Sequence, residues 1–205
     1  MALSREETNN LKRAPAVEGV LPVILERWSP RSFDSRPVGE ELLKKVFEAA
    51  RWAPSSFNEQ PWRFLLGRRG DATYAKIFEA LGGFNKGWTK TAPVLILGAA
   101  KTRFSHDNSP NEYARHDLGA ASAYLVLQAH ALGLKAHQMA GFDHDAARKL
   151  FQIPEEYALG STIALGYQGE PEALGDEKRI AQETAPRARK ALGEIVFSDW
   201  GVAGI

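Results

Sequence analysis

A chain of 205 residues, 25% of them charged and with a formal net charge of +1, is long enough for one domain around a full core. Its near-neutral balance excludes the strong basic field of a nucleic-acid binder. It has no Cys, which removes disulfides, thiolate metal sites, iron–sulfur clusters and cysteine nucleophiles together.

The first residues, MALSREETNNLKRAP, are charged and lack the apolar stretch of a secretory signal. Residues 1–18 read as a flexible or draped segment. GVLPVILERW (19–28) sets Leu21, Ile24, Leu25 and Trp28 at helical spacing. GEELLKKVFEAARWA (39–53) is the clearest helix, with Leu42, Leu43, Val46, Phe47 and Ala50 on one stripe opposite Glu and Lys. A proline-bracketed polar loop follows, WAPSSFNEQPWRF (52–64), and WRFLLGRR (62–69) reads as a strand. DATYAKIFEAL (71–81) is a helix capped by Asp71.

The longest apolar run, APVLILGAA (92–100), is a buried strand, too short to span a bilayer. YARHDLGAASAYLVLQAHALG (113–133) is a long helix whose small residues suit a tight core or a subunit interface. KAHQMAG (135–141) reads as a short strand, DHDAARKLF (143–151) as a helix capped by Asp143, and GSTIALGY (160–167) as the last strand. After Glu170 the chain reads as irregular until LGEIVFSDWG (192–201), an arm with one extended apolar segment. The expected fold is a single three-layer α/β or α+β domain over residues 1–205, with a mixed sheet of about four or five strands and a C-terminal arm from 185 to 205. The expected location is the cytoplasm, without membrane contact.

No glycine-rich nucleotide loop and no GxSxG elbow occurs. The five histidines (106, 116, 130, 137, 144) include no HExxH and no pair at ligand spacing. His116–Asp117 and Asp143–His144–Asp145 read as solvated helix surface. No metal is expected, and an enzyme built from this chain would take its chemistry from a cofactor.

Two arginine clusters point to an anion. ERWSPRSFDSRPV (26–38) holds Arg27, Ser29 and Arg31, and APRARKALGEIVF (185–197) holds Arg187 and Arg189. Guanidinium forks match a phosphate dianion, and the Ser, Asn and Gln of the proline loop match the carbonyl and imide edge of a heterocycle.

Four separated segments resemble the nitroreductase family of FMN-dependent oxidoreductases, in the family's order. ERWSPRSF is similar to its R-x-S-x-R/K-x-F motif, and APSSFNEQPWRF to its PSSxNxQPW loop. GLKAHQMAGFD (133–143) is similar to the strand and turn under the flavin, and PRARKALGEIVF to its basic C-terminal segment. The resemblance implies an α+β homodimer whose C-terminal arms embrace the partner and whose FMN sites lie at the subunit interface. It implies that Arg27, Trp28, Ser29 and Arg31 bind FMN phosphate, ribityl and pyrimidine edge, with Arg187 and Arg189 clamping the phosphate. Pro54, Ser55, Ser56 and Asn58 would reach the flavin of the other subunit, Gln60 would brace their loop, and Met139, Ala140 and Gly141 would lie along the ring. Asn85 matches a ring-contacting Asn in a loosely aligned stretch.

The implied activity is hydride transfer from NAD(P)H to an electron-poor small molecule (nitroaromatic, quinone or enone) by a ping-pong mechanism, with no catalytic side chain. Phe104 and Tyr113, in a segment shorter than the family's lid insertion, are the substrate-side candidates. Ala140 replaces an acidic residue of some members, which leaves NADH against NADPH open. Dehalogenation, desaturation or flavin destruction on the same fold, and flavin binding without turnover, stand as alternatives.

Overall fold

The computed structural model describes residues 3–205. Its first helix, α1 (Arg5–Lys12), lies in the segment read as flexible or draped, for which no helix was expected. Ser4 and Glu7 form a reciprocal capping box, and Thr8 and Lys12 are buried against the rest of the chain. The helix α2 (Pro22–Glu26) is shorter than its apolar spacing implied. Pro22 starts it, Leu21 and Ile24 stay exposed, and Trp28 is buried beyond its end.

The sheet is built from β1 (Trp62–Arg68), β2 (Val94–Lys101), β3 (Lys135–Met139) and β4 (Tyr157–Gly166), in the order β1-β2-β4-β3. All three pairings are antiparallel, which departs from the mixed sheet expected. Side chains alternate between two cores. Val94, Ile96 and Ala100 of β2 pack under α3 (Glu40–Arg51) and α6 (Ala114–Ala131); Leu95, Leu97 and Ala99 pack against α4 (Ala72–Ala80) and its neighbours. Burial on both faces is why β2 is a continuous apolar run. A bulge between Leu97 and Ala99 shifts the register with β4, near Gly160, where an added Cβ would lie 2.5 Å from Leu118 Cδ2. The glycine lets α6 seat Leu118 against the sheet.

Two more helices have no counterpart in the sequence reading. α5 (Gly83–Thr89) contains two glycines and has no side-chain cap. After α7 (His144–Phe151), whose Asp143 cap matches the expected one, α8 (Glu177–Thr184) is almost wholly polar, and only the Asp176 cap marks it. The arm ends in a hairpin of β5 (Phe197–Asp199) and β6 (Val202–Ala203). Its Leu192, Ile195, Trp200, Val202 and Ile205 are all exposed, Trp200 to 92%. Among the described residues no helix is long and apolar enough to cross a membrane, and no group of three or more His, Asp or Glu could hold a metal.

Candidate functional site

β3 is an edge strand, and the turn from Arg27 to Ser32 lies against it. His137 on β3 donates from Nδ1 to the Pro30 carbonyl at 2.9 Å and packs on the Trp88 ring at 4.7 Å. Burial, opposed by that hydrogen bond, moves the imidazole down to about 4, so it is neutral at physiological pH. One turn of strand earlier, Lys135 lies 3.3 Å from His130 Nδ1 and is lowered to about 8, first by burial and then by the Arg27 charge.

The C-terminal segment completes this basic end. Arg187 donates to the carbonyls of Leu25 and Arg27, the latter at 2.7 Å. The Arg27 guanidinium is held below its usual range, mainly by burial and then by Arg187 and Arg189; it donates to Ser29 Oγ at 3.2 Å. Arg189 is exposed and bonds only the Ala188 carbonyl. Arg31 leans over Phe84 at 5.7 Å, and its Nε is buried with no acceptor. Among the described residues, none of Arg27, Arg31, Arg187 and Arg189 forms an ion pair with a carboxylate. Four guanidiniums without carboxylate partners, on the turn beside β3 and on the C-terminal segment packed against that turn, could hold an anion.

Trp28 behaves differently from its neighbours in sequence. Its indole is taken up by α1, donating to Asn9 at 2.8 Å with Lys12 Nζ above the ring at 5.0 Å.

At the far end of β3, Met139 is buried while Ala140 and Gly141 are exposed. The Gly141 carbonyl is pinned by the Gly82 N–H at 3.0 Å and by Asn85 Nδ2 at 2.9 Å. Asn85 Oδ1 accepts from Trp88 Nε1 at 3.2 Å, so both ends of this amide are engaged inside the protein. Asn85 therefore fixes the Gly141 main chain rather than presenting its amide outward.

The proline loop is elsewhere. Pro54, Ser55 and Ser56 line a cavity with Tyr113, His116 and Asp117, and the loop has no hydrogen bond or ion pair to the four arginines. Three of its non-glycine residues, Phe57, Asn58 and Gln60, have φ of 52°, 55° and 51°. Asp117, read from sequence as helix surface, is buried, and its Oδ2 accepts the Ser56 N–H at 3.0 Å. Gln60 donates to the Asn58 carbonyl at 3.2 Å and to Ser55 Oγ at 3.0 Å, which is the bracing expected of it. Phe57, 84% exposed, meets Phe104 edge-on at 5.6 Å, and both rings lie near His106. Glu59 accepts from the main chain and hydroxyl of Ser105, tying the Phe104 segment to the loop.

A family model, the nitroreductase family, matches residues 24–85 and 71–167. The chain belongs to the nitroreductase family. It is 36% identical over 147 residues to an uncharacterized 15.4 kDa protein of Mycolicibacterium smegmatis, an alignment covering 68% of this chain and 97% of that one. It is 29% identical over 191 residues to a protein of Thermus thermophilus named NADH dehydrogenase, covering 75% and 92%. A solved oxidoreductase described as containing FMN superposes with a TM-score of 0.84 at 32% identity, over 93% of this chain and 95% of that one.

The nitroreductase match ends at residue 167, so Arg187 owes its place beside Arg27 to the contacts given above. α1 also lies outside it, and its Asn9 and Lys12 hold the Trp28 side chain. Sequence reasoning missed two buried carboxylates that hold main chain: Asp117 under the proline loop, and Glu183 of α8, which accepts the Arg31 and Ser32 N–H groups. Asp117 had a signal: it shares a helical stripe with the buried Ala114, Leu118 and Ala121. Glu183, in the polar α8, had none.

Proposed function

We propose that the chain is an FMN-dependent oxidoreductase of the cytoplasm. It would take hydride from NAD(P)H and reduce a nitroaromatic, quinone or enone, as a homodimer with two sites at the interface. The observation that carries this reading is the set of four arginines without carboxylate partners around β3, with the Arg31 Nε buried and unsatisfied. A buried donor without an acceptor costs on the order of 1–3 kcal/mol, and a bound heterocycle edge relieves it. The residues present therefore fit the cofactor.

Bound there, FMN supplies two-electron chemistry in two separate half-reactions, so donor and acceptor use one cavity in turn. The chain's own residues bind and orient. Arg27, Arg187 and Arg189 offer charge-assisted donors to a terminal phosphate, with Ser29 beside them. Arg31 brings positive charge to the pyrimidine edge, where negative charge accumulates on reduction. Met139, Ala140 and Gly141 would lie along the ring, and Asn85 and Gly82 hold the Gly141 main chain still. His137 is neutral with Nδ1–H engaged on Pro30, so it braces the turn against β3. The Trp28 side chain lies with α1, which leaves its main chain to the site.

Pro54, Ser55, Ser56 and Asn58 serve the site of the other subunit. The strained, outward-facing loop supports this, as does an arm whose apolar residues are exposed in one chain. Phe104 and Tyr113 flank that loop and would meet the acceptor.

The purified protein should be yellow and release FMN on denaturation, and NADH or NADPH should bleach it under anaerobic conditions. Release of FAD, or of no flavin, overturns the proposal by mass spectrometry of the supernatant. Retained FMN that neither nucleotide bleaches leaves a flavin carrier in its place.

A further inference from the structure

Glu183 is 1% exposed and is the one buried residue of a helix that is otherwise half-buried or exposed. A carboxylate so buried needs charge or hydrogen-bond compensation. Burial pushes its acid up, against the pull of the Arg31 and Ser32 N–H groups and of the Arg31 and Lys12 charges. Its partners are main chain. The Arg31 N–H lies 3.0 Å from both Oε1 and Oε2, and the Ser32 N–H lies 3.1 Å from Oε1. The nearby Arg31 guanidinium is not bonded to it; it sits over Phe84 with Nε unsatisfied.

A carboxylate present only to neutralise Arg31 would grip the guanidinium, where a bidentate pair is strongest. Here it grips the peptide groups and leaves the guanidinium free. The turn has two further fasteners. Ser32 Oγ donates to the Glu170 carbonyl at 2.6 Å, and Lys12 of α1 donates to the Gln182 carbonyl, next to Glu183, at 3.3 Å.

We propose that Glu183 is a positioning residue for the cofactor: it fixes the Arg31–Ser32 main chain so that the Arg31 side chain stays available to the flavin's pyrimidine edge. The proposal rests on the FMN reading for the ligand, while the hold on the turn belongs to the chain alone. Through Arg31, Glu183 also sets how strongly positive charge stabilises the reduced flavin.

Two conservative variants separate this role from a simple charge effect. Glu183→Gln keeps one oxygen, which at the Oε1 position still accepts both N–H groups with its amide nitrogen turned aside, but loses the charge; Glu183→Asp keeps the charge on a side chain one methylene too short. If Glu183 positions the turn, E183Q stays close to wild type. E183D then loosens the Arg31 and Ser32 amides, weakens FMN about tenfold and lowers the flavin reduction potential. If only its charge matters, E183D stays at wild type and E183Q raises the potential, because a negative charge beside the flavin is gone.

The first measurement is hydrogen exchange at residues 31 and 32 in the FMN-free chain, with Glu177→Gln on the exposed face of α8 as control. The second is FMN affinity and reduction potential of the loaded protein. Faster exchange at those amides in E183D, with slight change in E183Q, supports the proposal. Equal exchange in E183D and wild type overturns it, as does E183D failing to fold without FMN, which would make Glu183 a general staple of the fold. Wild-type protein that binds no FMN sinks the cofactor reading, while the exchange result still judges the hold on the turn.

Discussion

The turn around Arg31 and the loop from Pro54 to Gln60 are each held by a buried carboxylate that accepts main-chain N–H groups, Glu183 in one and Asp117 in the other. Beyond that they diverge. The first is enclosed by its own chain: the C-terminal arginines, the edge strand and α1 pack around it. The second is displayed, with Phe57 bare and three non-glycine residues in left-handed backbone. Each such residue costs on the order of 1 kcal/mol. Strain kept in an enclosed turn can be explained by local packing; strain in an exposed loop needs a purpose outside the chain. In the proposed dimer, the first is the half of a site that one chain encloses by itself and the second the half it would offer to another copy.

Acid should act first on the enclosed half. His137 has its folded pKa depressed to about 4 from the ordinary 6.5, so the stability it contributes is present above 6.5 and lost as pH falls through 4. The full loss amounts to ~3 kcal/mol. His137→Gln should flatten the pH dependence of thermal unfolding in that window; an unchanged profile would remove the buried neutral ring from the account.

Next in size, Arg189→Ala should weaken FMN by roughly ten- to hundredfold, a charge-assisted contact of ~1.5–3 kcal/mol, and leave the melting temperature of the FMN-free protein unaltered. Arg187→Ala should lower both, because that side chain also holds the Leu25 and Arg27 carbonyls. Titrating apo variants with FMN separates the two; equal effects on folding would erase the distinction.

The smallest effect belongs to the displayed half. Asp117→Ala leaves the Ser56 N–H without its acceptor and should cost about 1–2 kcal/mol, tempered by removal of a buried charge. Hydrogen exchange should rise at residues 55–60 and stay level at 27–32. Exchange rising at both would mean that the halves are not independent.

Much of this was legible in the sequence, for identifiable reasons. α3 showed its stripe, α4 and α7 their Asp caps, and β2 its unbroken apolar run. α5 and α8 were hidden because glycine in one and polar composition in the other erase the periodicity, and only tertiary packing makes them helices. α1 was announced by its Ser4–Glu7 box, a signal overridden by the polarity of the segment. At the site, the arginines stood out because Arg27–x–Ser29–x–Arg31 and Arg187–x–Arg189 concentrate unusual charge. The roles of neighbours did not. Spacing alone could not show that Trp28 turns to α1, that Asn85 bonds inward, or that Glu183 bonds a turn more than 150 residues away.

The central claim, that each site is built from two chains, is tested most directly by complementation. Arg31→Ala and Asn58→Ala, each dimeric and nearly inactive, are refolded together in equal amounts. Half of the dimers are then mixed, and each mixed dimer has one site carrying both lesions and one carrying neither. Activity of about a quarter of wild type is the result expected of an isologous dimer with shared sites. Activity no higher than the mean of the two variants would place both residues in the site of one chain and contradict the account.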